Sequence, residues 1–220
     1  MTDAVELGGR RHLAGLCLGV AWMATFAGCA TAPAPRTLVI VPSLPQPAHE
    51  APEGSAVNPA EVVSLAPIQV PEHWQRRSVV HLQGDAELVA WPDAVWAERV
   101  EAGLTRRLSQ ALRQRAPALG WWTAEGRATP RRLLIDVSQL DVHAGRGQLV
   151  AVLQWRLVDR QGRVLGAGRW RQTMSLAIGS AQEEASALGQ WLDAQAEQIA
   201  AQVQALPAVS DTADTTNGRR

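Results

Sequence analysis

The sequence predicts a two-layer α+β domain in which two long amphipathic helices pack on one face of an antiparallel or mixed β-sheet. Three observations support this: two stripes of apolar residues at helical spacing, several short stretches that alternate apolar with other residues, and glycine-bearing connections between those stretches. A helix with one apolar face must bury it, and a sheet surface can receive two such helices. The 220 residues are expected to hold one domain with tails.

Residues 1–28 are predicted to be a lipoprotein signal peptide. A pair of arginines precedes the apolar, uncharged segment 13–27, which is shorter than the roughly 20 residues of a bilayer span. The segment ends in Phe-Ala-Gly-Cys, which resembles a bacterial lipobox with cleavage after Gly28 and acylation, including palmitate, on Cys29. The alternatives are a twin-arginine signal and an ordinary export signal in which Cys29, like Cys17, is only an apolar residue.

Acylation of Cys29 would place the mature chain on the periplasmic face of the cell envelope as a membrane-anchored protein. The mature chain would keep one cysteine, so it could form no internal disulfide bond. Several acyl chains on one residue give stable anchoring, which a single chain does not. Ala30 follows the cysteine, and the lack of aspartate there favours the outer membrane over the inner one.

A proline-rich tether is predicted over residues 29–60, because residues 30–60 hold seven of the thirteen prolines. A β-branched island within it predicts a short strand at 37–41. The folded domain is expected over 61–207, and the polar segment 208–220 is expected to be a disordered tail.

In the first half of the domain, the sequence predicts strands followed by a helix. Residues 61–70 form a strand region broken by Pro67, and strands 78–82 and 87–91 form a hairpin around a turn at 83–85. Asp93 is predicted to cap a helix that Pro117 bounds. The apolar stripe of this helix consists of Ala97, Val100, Leu104, Leu108, Ala111 and Leu112.

In the second half of the domain, the sequence predicts a three-stranded antiparallel meander followed by a helix. Apolar residues alternate within 133–137, 149–157 and 164–174, and the connections are short and carry glycine. Ser180 and Glu183 have the spacing of a capping box, and Pro207 follows the helix. The helical stripe consists of Leu188, Leu192, Ala196, Ile199 and Val203, with Trp191 beside it.

The residue types that carry catalysis do not form a recognisable catalytic or metal-binding motif in this sequence. We therefore expect that the protein is not an enzyme and has neither a cofactor nor a metal site. The four histidines after residue 28 are scattered, and Trp91-Pro92-Asp93 lacks the cysteine and arginine that a tyrosine phosphatase would need. Equal numbers of basic and acidic residues, 21 each, give no reason to expect a nucleic-acid partner.

The nine tryptophans allow two interpretations. Trp96, Trp155 and Trp191 lie on or beside apolar stripes and are expected in the core. Trp74 and the pair at 121–122 lie near element ends and are either core residues or partner contacts. Trp74, Arg76 and Arg77 are candidate partner contacts, because tryptophan and arginine are enriched where interfaces concentrate their binding energy.

Several segments together resemble the ABC-type transport auxiliary lipoprotein family (PqiC/YmbA-like). After the lipobox cysteine come the strand at 37–41, the segment Ala-Pro-Ile-Gln-Val-Pro-Glu-His-Trp-Gln-Arg at 66–76, the strand-to-helix segment at 87–98, and strand segments at 134–141 and 154–159. The resemblance covers residues 37–205. The chain departs from the family in lacking tyrosine and in having His-Trp where Tyr-Leu is commoner.

The resemblance implies a non-enzymatic component of an intermembrane lipid transport system. Its partners would be a mammalian-cell-entry (MCE) domain protein and the associated ABC transporter, together with the membrane that holds the lipid anchor. Self-association with further copies of the chain stays open. The alternatives are an envelope-assembly or cell-wall-binding lipoprotein unrelated to ABC transport and, less favoured, a periplasmic hydrolase.

Overall fold

The structure is a computed structural model that describes residues 34–40, 62–123 and 129–206. The described residues form one mixed eight-stranded sheet with two long helices, which confirms the predicted α+β class. The strands are β1 Arg36–Leu38, β2 Val63–Leu65, β3 Ser78–Gln83, β4 Glu87–Trp96, β5 Trp121–Thr123, β6 Arg131–His143, β7 Gln148–Asp159 and β8 Val164–Ser175. The helices are α1 Val100–Arg115 and α2 Ala181–Gln204.

The predicted meander is confirmed, because β6, β7 and β8 follow one another as antiparallel neighbours. Along β6 the side chains alternate between buried apolar residues such as Leu133 and Ile135 and exposed polar residues such as Arg132 and Asp136. The buried side faces α2: the indole of Trp170 on β8 donates a hydrogen bond to Gln195 of that helix. The other side of the meander is largely polar.

The rest of the sheet attaches to the second edge of β6 through parallel pairings. The start of β6 pairs with β2, which in turn pairs with β5. Further along, the main chain of Gln69 bridges to Asp136, and the end of β6 pairs with β3. The predicted β3–β4 hairpin is confirmed, and Gly84 in its turn has a φ of 65°, a conformation that favours glycine.

The final helix begins as predicted at Ser180. The Ser180 hydroxyl accepts a hydrogen bond from the Glu183 main-chain N–H at 3.3 Å, and the Glu183 carboxylate accepts one from the Gly179 N–H at 2.6 Å. The carboxylate thus reaches one residue further back than in the usual capping box. The apolar stripe is buried along the helix, including Leu188, Leu192, Ala196, Ile199 and Val203.

The prediction that Asp93 caps the first helix is wrong. Strand β4 continues through Asp93 to Trp96, and α1 begins at Val100. The reason is non-local: β1 pairs in parallel with residues 94–96 and holds them extended, and Arg36 forms an ion pair with Asp93 at 3.5 Å. Ala97 consequently lies before the helix, although the other stripe residues of α1 are buried as predicted.

The island in the proline-rich tether does form a strand, but β1 spans 36–38 rather than 37–41 and belongs to the sheet. The predicted signal peptide, most of the tether and the predicted tail at 208–220 lie outside the described residues. Neither α1, α2 nor another described helix combines the length and hydropathy needed to cross a bilayer.

Candidate functional site

The segment 71–77, predicted to face a partner, has its tryptophan turned into the core. Pro71 precedes a 3₁₀ turn at Glu72–Trp74, and the Trp74 side chain is only 2% exposed. Its indole N–H donates a hydrogen bond to the carbonyl oxygen of Leu140 on β6 at 2.7 Å. The expectation that Trp74 contacts a partner is therefore corrected: this side chain attaches the segment to the sheet.

Arg76 and Arg77 are exposed, in contrast to Trp74. Neither forms an ion pair with a described residue. The Arg77 carbonyl accepts a hydrogen bond from the Trp96 N–H at 2.8 Å, which fixes the main chain of this segment just before α1 begins. These two guanidinium groups are available at the surface, so their role as partner contacts stays a prediction.

A groove of about 830 Å³ lies beside this segment, between residues 65–70 and the outward side of α1. We call it the α1 groove. Three arginines line it at seven-residue spacing: Arg99, which directly precedes α1, and Arg106 and Arg113 on the helix. At 3.6 residues per turn, residues seven apart lie on nearly the same side of a helix, so the three form a row.

The two walls of the α1 groove are joined by hydrogen bonds through Thr105. Its hydroxyl accepts a hydrogen bond from the Ile68 main-chain N–H at 2.9 Å and donates one to the Glu101 carbonyl at 2.6 Å. The Ile68 N–H, which the sheet leaves without a strand partner, is thereby satisfied by the helix. This linkage fixes the separation between the two walls.

Acidic residues near the α1 groove offset part of its positive charge. Arg99 pairs with Glu101, Arg106 pairs with Glu98 at 2.5 Å, and the Arg113 Nε–H donates to the Trp121 carbonyl at 3.3 Å. One wall residue, Ser109, is 2% exposed, and its hydroxyl has no hydrogen-bond partner. The groove is therefore basic, and it contains a buried hydroxyl able to bond to a ligand.

A second cluster, formed by Glu184, Trp91 and His81, lies where α2 packs on β4. Glu184 is fully buried; its Oε2 accepts a hydrogen bond from the Trp91 indole N–H at 2.7 Å, while its Oε1 has no partner. Burial raises the pKa of Glu184 to about 8, although the indole hydrogen bond acts in the opposite direction. The His81 ring packs on the Trp91 ring with centroids 4.4 Å apart, and burial lowers the pKa of His81.

Within the described ranges no three side chains among histidine, cysteine, aspartate and glutamate come together as metal ligands would. Glu184, whose pKa is raised to about 8 by burial, is closed off from solvent. The predicted lipidation site, Cys29, and the cleavage position, Gly28, lie outside the described residues.

The sequence interpretation missed the arginine row and the buried glutamate, although both leave a signal. The arginines at 99, 106 and 113 repeat every seven residues, and only the apolar face of α1 was considered. Glu184 lies four residues before Leu188, on the line of the apolar stripe. A charge at a stripe position is a sign of a buried ionisable group.

Comparison with known proteins gives a family and a fold. A family model described as an ABC-type transport auxiliary lipoprotein component matches residues 43–200. A crystal structure of an uncharacterized protein aligns with a TM-score of 0.60 at 17% identity, covering 77% of this chain and 99% of the other. Protein XCC0632 from Xanthomonas campestris aligns with a TM-score of 0.53 at 16% identity, covering 76% and 90% respectively.

No curated protein matches the chain. At these identities the two solved structures show the fold alone, whereas the family match extends over most of the sequence. It includes the segment 71–77, both walls of the α1 groove and the whole meander. The chain belongs to the ABC-type transport auxiliary lipoprotein family.

Proposed function

We propose that this chain is a periplasmic lipoprotein, anchored to the outer membrane through Cys29, that docks the MCE-domain subunit of an ABC-type lipid transport system and catalyses no reaction. The observation that carries the proposal is the family match over residues 43–200. The lipobox that ends at Cys29 supports the anchor, because it stands directly before the proline-rich tether.

The described domain supports a docking role through its exposed groups. Arg76 and Arg77 are exposed and follow Gln75, which lines the α1 groove together with the arginine row, while Trp74 and Thr105 fix the main-chain framework. An interface needs exposed groups held in fixed positions, since less freedom is then lost on binding.

The experiment is capture of partners from native membranes, with an epitope tag at the C-terminus and a Cys29→Ser control. The wild-type chain should incorporate labelled palmitate, fractionate with the outer membrane and capture an MCE-domain protein. The Cys29→Ser variant should incorporate no label and stay as the unprocessed precursor. Capture of peptidoglycan or of an outer-membrane assembly machine instead would favour the alternative class of envelope lipoprotein and contradict the proposal.

A further inference from the structure

We infer that the α1 groove binds an acidic, extended segment of a partner protein. The inference rests on the proposed docking function and adds the location of the contact and its chemistry. The groove is about 830 Å³, so it can hold several residues of an extended chain, and its two walls are hydrogen-bonded to each other through Thr105.

The spacing of the arginines specifies the ligand. Successive members of the row are seven residues apart, about 10 Å along the helix axis at about 1.5 Å per residue. A segment in the extended polyproline II conformation advances about 3.1 Å per residue with three residues per turn, so carboxylates three residues apart lie on one side of it and repeat about every 9 Å. An extended segment with an acidic residue at every third position would therefore meet Arg99, Arg106 and Arg113 in turn.

The existing ion pairs do not block this contact. The paired side chains of Arg99 and Arg106 are 73% and 52% exposed, and exposed ion pairs contribute about 0–1 kcal/mol. A guanidinium group has five N–H donors, and each of the three arginines uses only part of this capacity in its described contacts. Each therefore has N–H groups left to donate to a carboxylate of the bound segment.

The spread of positive charge along the α1 groove favours a polypeptide over a lipid. Its charge is spread over about 20 Å along α1, whereas an anionic lipid concentrates its charge in one headgroup. The buried Ser109 hydroxyl, which has no partner, can donate a hydrogen bond to a main-chain carbonyl of the bound segment. Leu65, Ile68 and Val70 provide an apolar floor for the side chains between the acidic residues.

The test uses the full-length protein in detergent and a fluorescent nine-residue probe in which the triplet Glu-Ala-Val is repeated three times. A matched probe with glutamine in place of glutamate is the ligand control. Fluorescence anisotropy should show binding of the acidic probe only, and binding should weaken as salt rises from 20 to 500 mM because exposed charges are screened. Equal binding of the two probes, or binding of neither, would overturn the inference.

Charge reversal locates the contact. The double variant Arg106→Glu/Arg113→Glu should weaken probe binding at least ten-fold, while Arg169→Glu/Arg171→Glu, on the exposed side of β8, should leave it unchanged. Ser109→Ala should weaken binding about five-fold, the effect of one hydrogen bond, without lowering the melting temperature. An equal loss in the β8 variant, or unaltered binding in the α1 variant, would contradict the assignment.

Two further measurements separate this inference from the proposed function. If the α1 double variant still captures the MCE-domain protein as the wild type does, the groove inference fails while the docking function stands. If the wild-type chain captures no such protein, the docking function fails irrespective of the probe. Vesicles of phosphatidylcholine and phosphatidylglycerol at four to one should not displace the acidic probe, and displacement that depends on Arg106 and Arg113 would overturn the choice of a polypeptide.

Discussion

The meander and the N-terminal half of the domain are built in different ways. Strands β6, β7 and β8 have 13, 12 and 12 residues and pair with their neighbours in sequence. In the N-terminal half β1, β2 and β5 have three residues each, and all three make parallel pairings with strands remote in sequence. The meander is therefore held together by pairings among its own consecutive strands, whereas the N-terminal half depends on pairings with strands that are remote in sequence.

The interface that we propose lies in the N-terminal half. Short strands leave segments such as 66–77 outside regular pairing, and their polar groups are satisfied by side chains and single bridges instead. Exposed residues on such segments can carry function because the scaffold supports them. The hydrogen bond from Trp74 to the Leu140 carbonyl joins the N-terminal half to the meander. Its removal is therefore the first test of the difference between the two regions.

The largest effect is expected from Trp74→Ala. Removal of a fully buried tryptophan should lower the free energy of unfolding by about 3–5 kcal/mol, and it also leaves the Leu140 carbonyl without its indole donor. Urea unfolding measures the change. The neighbouring exposed variant Arg76→Ala should alter stability by less than about 0.5 kcal/mol, and a Trp74→Ala protein as stable as wild type would show that Trp74 is not a core residue.

The next largest effect is expected from a change of pH, because the carboxyl of Glu184 is buried where α2 packs on β4. The Glu184 pKa is raised from 4.5 to about 8 in the folded state, so between these values the unfolded chain releases a proton that the folded chain keeps. Stability from this residue is therefore complete below pH 4.5 and falls as pH rises, by up to about 1.4 kcal/mol per pH unit. The pKa of His81 is lowered in the folded state, so the unfolded chain binds a proton first as the pH falls. His81 therefore has the opposite effect and reduces stability as the pH falls below 6.5.

Urea unfolding at pH 5 and pH 8 measures the contribution of Glu184. Glu184→Gln should be less sensitive to this change than the wild type and more stable at pH 8, because it cannot ionise. Glu197→Gln is the matched control on the exposed side of α2 and should behave as the wild type does. If Glu184→Gln and the wild type lose stability equally between the two pH values, the buried carboxyl is not the cause.

A smaller effect is expected within the meander from Gly168→Ala. An added Cβ would lie 2.5 Å from the Trp155 indole nitrogen and 3.1 Å from the Gln202 side-chain oxygen, so we expect a loss of about 1–3 kcal/mol from overpacking. Gly145→Ala is the control, since its Cβ would meet nothing within 4 Å. A melting temperature that is lowered equally by both substitutions would contradict the close packing of Trp155 on β8.

The smallest effect is expected from removal of the predicted signal and the start of the tether. A chain that begins at Arg36 keeps every described strand and helix, so its free energy of unfolding should match that of the acylated protein within about 0.5 kcal/mol. Function should nevertheless be lost, because the anchor that we propose at Cys29 would raise the local concentration of the domain at the membrane. Unfolding or aggregation of the truncated chain would show that residues before 36 belong to the folded domain.

The sequence predicted the meander and α2 well because their signals are local. Alternation along β7 and the stripe from Leu188 to Val203 follow directly from the periods of strands and helices. The prediction that Asp93 caps a helix was wrong because a residue type that caps helices well can also lie in a strand. Only the pairing of β4 with β1 decides between the two conformations. The sequence left the location of Trp74 open, because its burial depends on Leu140, 66 residues away.

The most direct test of the proposed docking site is hydrogen exchange on the full-length protein with and without the MCE-domain protein that we propose as its partner. We expect that binding slows exchange in residues 66–77 and along α1, while β7 and β8 exchange as in the free protein. Protection confined to β8 and the exposed side of the meander, with no change around Arg76, Arg77 and Arg106, would contradict it.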